Sequence, residues 1–137
     1  MNKAQQYLGL ARKAGLLAVG EEASGSTMAE GKGKLLLLAA DASPNAVKRA
    51  QSFQHGHRAP LQTLPWSKSE LSILLGKHGC SMVCFTDLAL AERFSAALAE
   101  EDPAWAETTQ LLQERKQKAD RRKAAPRKHE PVGNRRN

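Results

Sequence analysis

The chain has 137 residues, 41% of them hydrophobic and only 4% aromatic, with a formal net charge of +7. That length suits one domain and excludes a multidomain assembly, and that composition calls for an aliphatic core. Residues 113–137 hold ten Lys or Arg against three Asp or Glu, so they carry the whole excess and leave residues 1–112 neutral, the pattern of a neutral domain with a basic arm.

Residues 3–14 place Ala4, Tyr7, Leu8, Leu10, Ala11 and Ala14 at helical spacing, and Gly15 stops the helix. Residues 16–19 form a short buried strand. Gly20 turns the chain, and Glu21 and Glu22 open a second helix, where carboxylates suit the positive end of the dipole. Ser24, Gly25, Ser26 and Thr27 make this helix intrinsically weak, and it ends near Gly31. Lys34 to Ala39 is the strongest strand candidate. Leucine also favours helices, so periodicity alone does not settle it; the flanking Gly31, Gly33 and Pro44 favour a strand buried on both faces.

Ser43 and Pro44 supply an N-cap and a first-turn proline to a third helix through Val47, Ala50 and Phe53, closed by His55-Gly56-His57. Residues 61–64 make a short strand. Ser67 and Glu70 form a capping box for a helix through Leu71, Leu74 and Leu75, which Gly76 ends. A strand at 81–85 contains Cys84, with Cys80 at its start. Four strand residues span ~13 Å, so the two cysteines cannot bridge or share a metal ion. Cys84 is expected as a small buried apolar residue. Asp87 caps a last core helix through Leu88, Ala91, Phe94 and Leu98.

Helices and strands alternate, which predicts an α/β fold: a three-layer α/β/α sandwich over residues 1–102 around a small central mixed sheet of about four strands. Residues 103–137 are expected as a basic tail, partly helical to disordered. Within it residues 104–118 have helix potential, with Trp105, Leu111 and Leu112 to dock them. From Arg115 onward the chain is too charged to fold alone.

Signs of catalysis are sparse. His55 and His57 have no nucleophile nearby in sequence and read as solvated loop residues. Gly31-Lys32-Gly33-Lys34 precedes a strand, whereas a phosphate loop follows one. Neither zinc spacing nor cofactor motif is present, so the expectation is a protein that is not an enzyme and has no cofactor. There is no basic segment followed by an apolar run, and no apolar stretch approaches the ~20 residues a membrane span needs. With free cysteines, this points to a cytoplasmic protein.

The junctions are more specific. Leu8-Gly9-Leu10-Ala11-Arg12-Lys13-Ala14-Gly15, Val19-Gly20-Glu21-Glu22-Ala23, the run Gly31 to Pro44, Ser67-Lys68-Ser69-Glu70-Leu71 and Leu75-Gly76-Lys77 occur in an order and spacing that resemble a known superfamily. This is the superfamily of kink-turn-binding large-subunit ribosomal proteins, the L-seven-Ae and L-thirty-e type, and within it the bacterial YlxQ-type branch. The similarity spans roughly residues 3–99.

The resemblance implies a non-catalytic domain that grips bent RNA at three places: the start of the second helix after Gly20, the turn Asp41-Ala42-Ser43-Pro44, and the loop Lys77-His78-Gly79-Cys80-Ser81. At the second-helix positions where that family carries Asn, Glu and Lys, this chain has Glu22, Ala23 and Ser26. The candidate RNA-binding residues are therefore Gly20, Glu21, Glu22, Ser26, Lys32, Ser43, Lys77, His78 and Gly79, with Arg121, Arg122 and Lys123 in the tail. RNA, and through it the ribosome, is the expected partner, with neither a membrane nor a small-molecule substrate. The alternative is a protein-interaction scaffold that kept the fold and uses its tail on an acidic partner. A positive belt joining Lys32, Lys34, Lys77, Arg12 and Lys13 around Gly20 would favour RNA.

Overall fold

The computed structural model describes residues 2–124. Helix α1 (Lys3–Lys13) begins with a capping box: Asn2 Oδ1 accepts from the Gln5 N–H at 2.8 Å, and Gln5 Oε1 accepts from the Asn2 N–H at 3.1 Å. The chain then runs through β1 (Leu17–Val19), α2 (Glu21–Ala29), β2 (Leu35–Leu38), α3 (Pro44–Gln54), β3 (Leu61–Thr63), α4 (Lys68–Leu75), β4 (Met82–Phe85) and α5 (Leu88–Ala99). A 3-10 turn at Pro103–Trp105 leads into α6 (Ala106–Ala124).

The sheet is mixed, in the order β1-β4-β2-β3. Strand β4 is antiparallel to both neighbours, and β2 is parallel to β3. Cross-strand register sorts the side chains by face. Leu17, Val19, Leu35, Leu37, Val83 and Phe85 point to one side, and Leu36, Leu38, Met82 and Cys84 to the other. The alternation is the ordinary period of two. Both central strands are fully buried because both faces are covered.

Helices α1, α4 and α5 pack on the first face around Phe94, which meets Trp66, Phe85 and Trp105. Helices α2 and α3 cover the second. This is a three-layer sandwich. The few aromatic side chains are thus concentrated under α5. Helix α2 holds despite its composition because Ser24 and Met28 are buried against the core. Gly25 matters here: a Cβ at that position would lie 2.7 Å from Phe53 Cζ, so any larger residue must displace the Phe53 ring packed between α2 and α3.

Two expectations are corrected. Helix α6 continues to Ala124, well past Arg115, where composition predicts an unfolded chain. It does so because it is not folding alone: Trp105 and Leu112 enter the core beside α5. The Ser95 and Thr109 hydroxyls also meet at 2.6 Å in the buried seam. Cys80 lies ahead of β4 and not on it, since Gly79 takes a positive φ of 70° and the strand begins at Met82. Cys80 joins the first core and Cys84 the second, so the sheet separates them. Both thiols are free and buried. Residues 125–137, the rest of the expected tail, lie outside the described residues.

Candidate nucleic-acid interface

Strand direction decides which loops meet. Strand β1 ends just before Gly20, β2 ends before Ser43, and β4 begins after Lys77–Ser81, so all three segments gather at one end of the sheet. Backbone bonds tie them together: Gly20 N donates to Met82 O at 2.8 Å, and Ala39 N donates to Ser81 O at 2.9 Å.

Gly20 is the N-cap of α2, with φ 100° and ψ 163°, and no side chain caps the helix. Its first-turn N–H groups therefore have no side-chain acceptor among the described residues. Lys77 lies across this glycine. Its ammonium donates to Val19 O at 3.4 Å, and a Cβ on Gly20 would come within 3.2 Å of Lys77 Nζ. A lysine held over an uncapped helix N-terminus is an arrangement that favours phosphate. The positive φ of Gly76, 66°, lets α4 end in a left-handed cap and brings Lys77 back over the sheet.

Other predicted residues nearby have structural partners. Ser43 Oγ accepts from Ala46 N at 3.1 Å as the N-cap of α3. Asp41 Oδ1 accepts from Lys68 N at 2.8 Å, at the first turn of α4. Glu21 pairs with Arg49 at 3.1 Å. Glu22 and Ser26 are exposed and line a groove of about 460 Å³ with Glu21, Gly25, Arg49 and Phe53. His78 and Gly79 are exposed in the loop beside Lys77. Arg12 joins from α1, its Nε donating to Leu75 O at 3.5 Å.

The charge at this end is mixed, with Lys77, Arg12 and Arg49 offset by Glu21 and Glu22. The positive belt that would favour RNA does not form around Gly20. Lys32 and Lys34 follow α2 and precede β2, which places them at the opposite end of the sheet; Lys34 N donates to the O of Phe85, the last residue of β4. Lys32 pairs there with Glu30 at 3.5 Å. Arg121, Arg122 and Lys123 are exposed in the last turn of α6. Arg122 also faces that opposite end, in a cavity shared with Lys34, His57, Arg58 and Arg115. Sequence reasoning missed Arg58 and Arg115. A signal was present in the spacing of Arg115, Ala119 and Arg122, one face of a helix continuing the stripe of Trp105, Thr109 and Leu112.

The thiols are poor nucleophiles. Burial pushes Cys84 up to about 11. Burial also raises Cys80, against the smaller opposing effects of backbone hydrogen bonds and of Lys77 and Arg12. Among the described residues no helix is long and apolar enough to cross a membrane.

No family model matches the chain. A solved protein of unknown function from Bacillus halodurans shares the fold with a TM-score of 0.64 and 24% identity, over 71% of this chain and 97% of that one. The RNA-binding protein YlxQ of Enterococcus faecium is 33% identical over 75 residues, which cover 55% of this chain and 72% of the relative. With that share of the relative matched at that identity, the chain belongs to the YlxQ family.

Proposed function

We propose that this protein is a non-catalytic RNA-binding protein that holds a bent, kink-turn-like RNA at the Gly20 end of its sheet and works in association with the ribosome or translation machinery. The observation that carries the reading is the Lys77 ammonium lying over the uncapped start of α2. The name of the Enterococcus relative supports RNA as the ligand. The superfamily resemblance supports the bent geometry. Helix donors and Lys77 would meet the backbone phosphates, while the exposed His78-Gly79 loop and Ser26 would meet splayed bases.

The substitutions at Glu22, Ala23 and Ser26 leave less to read bases with than the superfamily pattern has, so shape and phosphate contacts carry more of the affinity. A second reading, a protein-docking scaffold, is favoured by the exposure of Ile73, 82%, on α4 and of Leu10, 52%, on α1.

Binding of a kink-turn RNA and a straight duplex across a salt series separates the two. The comparison uses the full chain and a chain ending at Ala124, which keeps α6. A preference for the kinked RNA that survives the shortening, and that falls about tenfold on Lys77→Ala (about 1.4 kcal/mol), supports the RNA reading. Binding that vanishes with residues 125–137 and never prefers the kink refutes it in favour of a protein partner.

A further inference from the structure

The end of the sheet opposite Gly20 holds a second feature. A cavity of about 460 Å³ is walled by the turn after α2, the loop after α3, the start of α5 and one face of α6. Its charged lining is Lys34, Arg58, Arg115 and Arg122, joined by His57, with no Asp or Glu among the lining residues.

None of these cations forms an ion pair among the described residues. Among the described residues the ion pairs are Lys3–Glu100, Lys32–Glu30, Arg49–Glu21 and Lys116–Asp120, and none includes a residue of the cavity. The nearby acids are used elsewhere: Glu30 by Lys32, Asp120 by Lys116, and Asp87 as the cap of α5, accepting from Leu90 N at 2.9 Å. Arg115 Nε is buried and has no hydrogen-bond partner among the described residues. Burial lowers the Arg115 pKa, and the like charge of Arg58 lowers it further. An unsatisfied charged donor beside a second cation is costly, and an anion between them removes both costs.

Guanidinium groups present a fork of donors that matches phosphate oxygens. Gly31 and Gly56, with open space where a Cβ would lie, form part of the remaining wall, so the backbone leaves room for a bulky group. The volume lies within the range of small-ligand sites.

We propose that this cavity is a phosphate-binding site, separate from the Gly20 surface, in which Arg58, Arg115, Lys34 and Arg122 hold the phosphate oxygens of a phosphorylated ligand. The phosphate belongs either to a free nucleotide-like molecule or to the backbone of a bound RNA. The site does not depend on the RNA reading, because a free phosphate compound suffices to test it.

The test is thermal unfolding and titration calorimetry of the full chain with sodium pyrophosphate, at ionic strength held constant with chloride. The wild type, the double variant Arg58→Gln/Arg115→Gln, the single variant Arg122→Gln and a Lys48→Ala control are compared. Glutamine keeps much of the arginine stem, and Arg122 is exposed, so the single variant remains informative if the double one folds poorly. The expected result is one saturable site, with a melting midpoint raised by roughly 10 °C at a hundred times Kd. The double variant weakens it at least tenfold, Arg122→Gln weakens it measurably, and Lys48→Ala, an exposed position on α3 outside both surfaces, leaves it unchanged. In chloride alone the double variant melts higher than the wild type.

Kink-turn and duplex RNA affinities of the same proteins identify the source. Pyrophosphate binding with RNA affinity untouched by the double variant assigns a free ligand. A tenfold loss of RNA affinity, with a salt slope smaller by about 1–2, assigns a backbone phosphate. Equal pyrophosphate shifts in wild type and both arginine variants overturn the proposal. So does the absence of pyrophosphate binding together with unchanged RNA affinity.

Discussion

Trp105 is 3% exposed and sets its ring edge-on to Phe94, with centroids 6.0 Å apart and planes at 85°. It is the first large side chain of the segment that runs into α6. Replacing it with alanine removes its buried ring and leaves a void beside Phe94, between α5 and α6, that the packed core fills only in part. Buried tryptophan truncations of this kind cost about 3–5 kcal/mol. The edge-on aromatic contact supplies about 0.5–1.5 kcal/mol of that loss. A fold of this size has about 6–18 kcal/mol in total. The variant should therefore lose a substantial part of its stability, with a midpoint lower by roughly 12–20 °C. Urea unfolding followed by far-ultraviolet circular dichroism measures it, with the slope of the transition checked for two-state behaviour. A loss below about 1 kcal/mol would show that residues 103–124 do not support the core, and that docking on α5 is not what keeps α6 helical.

The Ser95–Thr109 contact gives a second test of the same seam. Ser95→Ala alone or Thr109→Val alone leaves a buried hydroxyl unpaired and costs about 1–3 kcal/mol, while the double change costs less than the sum of the two; chemical denaturation of all four proteins reads the coupling. Gly25→Val forces a Cβ against Phe53 and lowers stability by about 1–3 kcal/mol, with part of that cost absent in a Phe53→Ala background. Cys84 imposes an alkaline limit. Its folded pKa of about 11 lies above the ordinary thiol value of 9.0, so between those pH values the unfolded chain releases a proton that the fold retains. The contribution of Cys84 to stability is level below about pH 9 and falls by about 2–3 kcal/mol as pH rises through 11. A Cys84→Ala chain should show a shallower decline in denaturation midpoint over that window.

The elements of the sandwich were largely legible because local rules agreed with burial: Ser43 with Pro44, Ser67 with Glu70, and Asp87 all cap the helices the sequence predicts. The capping box at Asn2 was equally local and went unread. Helix α6 was less legible, because propensity and charge describe a segment in isolation whereas Trp105 and Leu112 take their stability from α5. The candidate site divided for a similar reason. Lys32 and Lys77 both flank short glycine-containing loops, yet strand direction sends them to opposite ends of the sheet. Arg58 and Arg115 are 57 positions apart in the numbering, and no periodicity connects residues on different elements.

The central position of β2 has a consequence for the chain as it is made. Leu36 pairs with Leu61 on one side and Cys84 on the other, so the strand is synthesised well before either neighbour. Until β4 emerges, four consecutive leucines without a proline or a charge among them remain an open edge, the composition that seeds intermolecular sheets. At ordinary synthesis rates that interval lasts roughly 2–10 seconds. Helices α2 and α3 can cover only the Leu36 and Leu38 side in that time. On the Leu35 and Leu37 side α1 is already made, but α5 and the pairing edge of β4 come only after residue 80, which makes the nascent chain, more than the finished protein, the state in which this fold is exposed to aggregation.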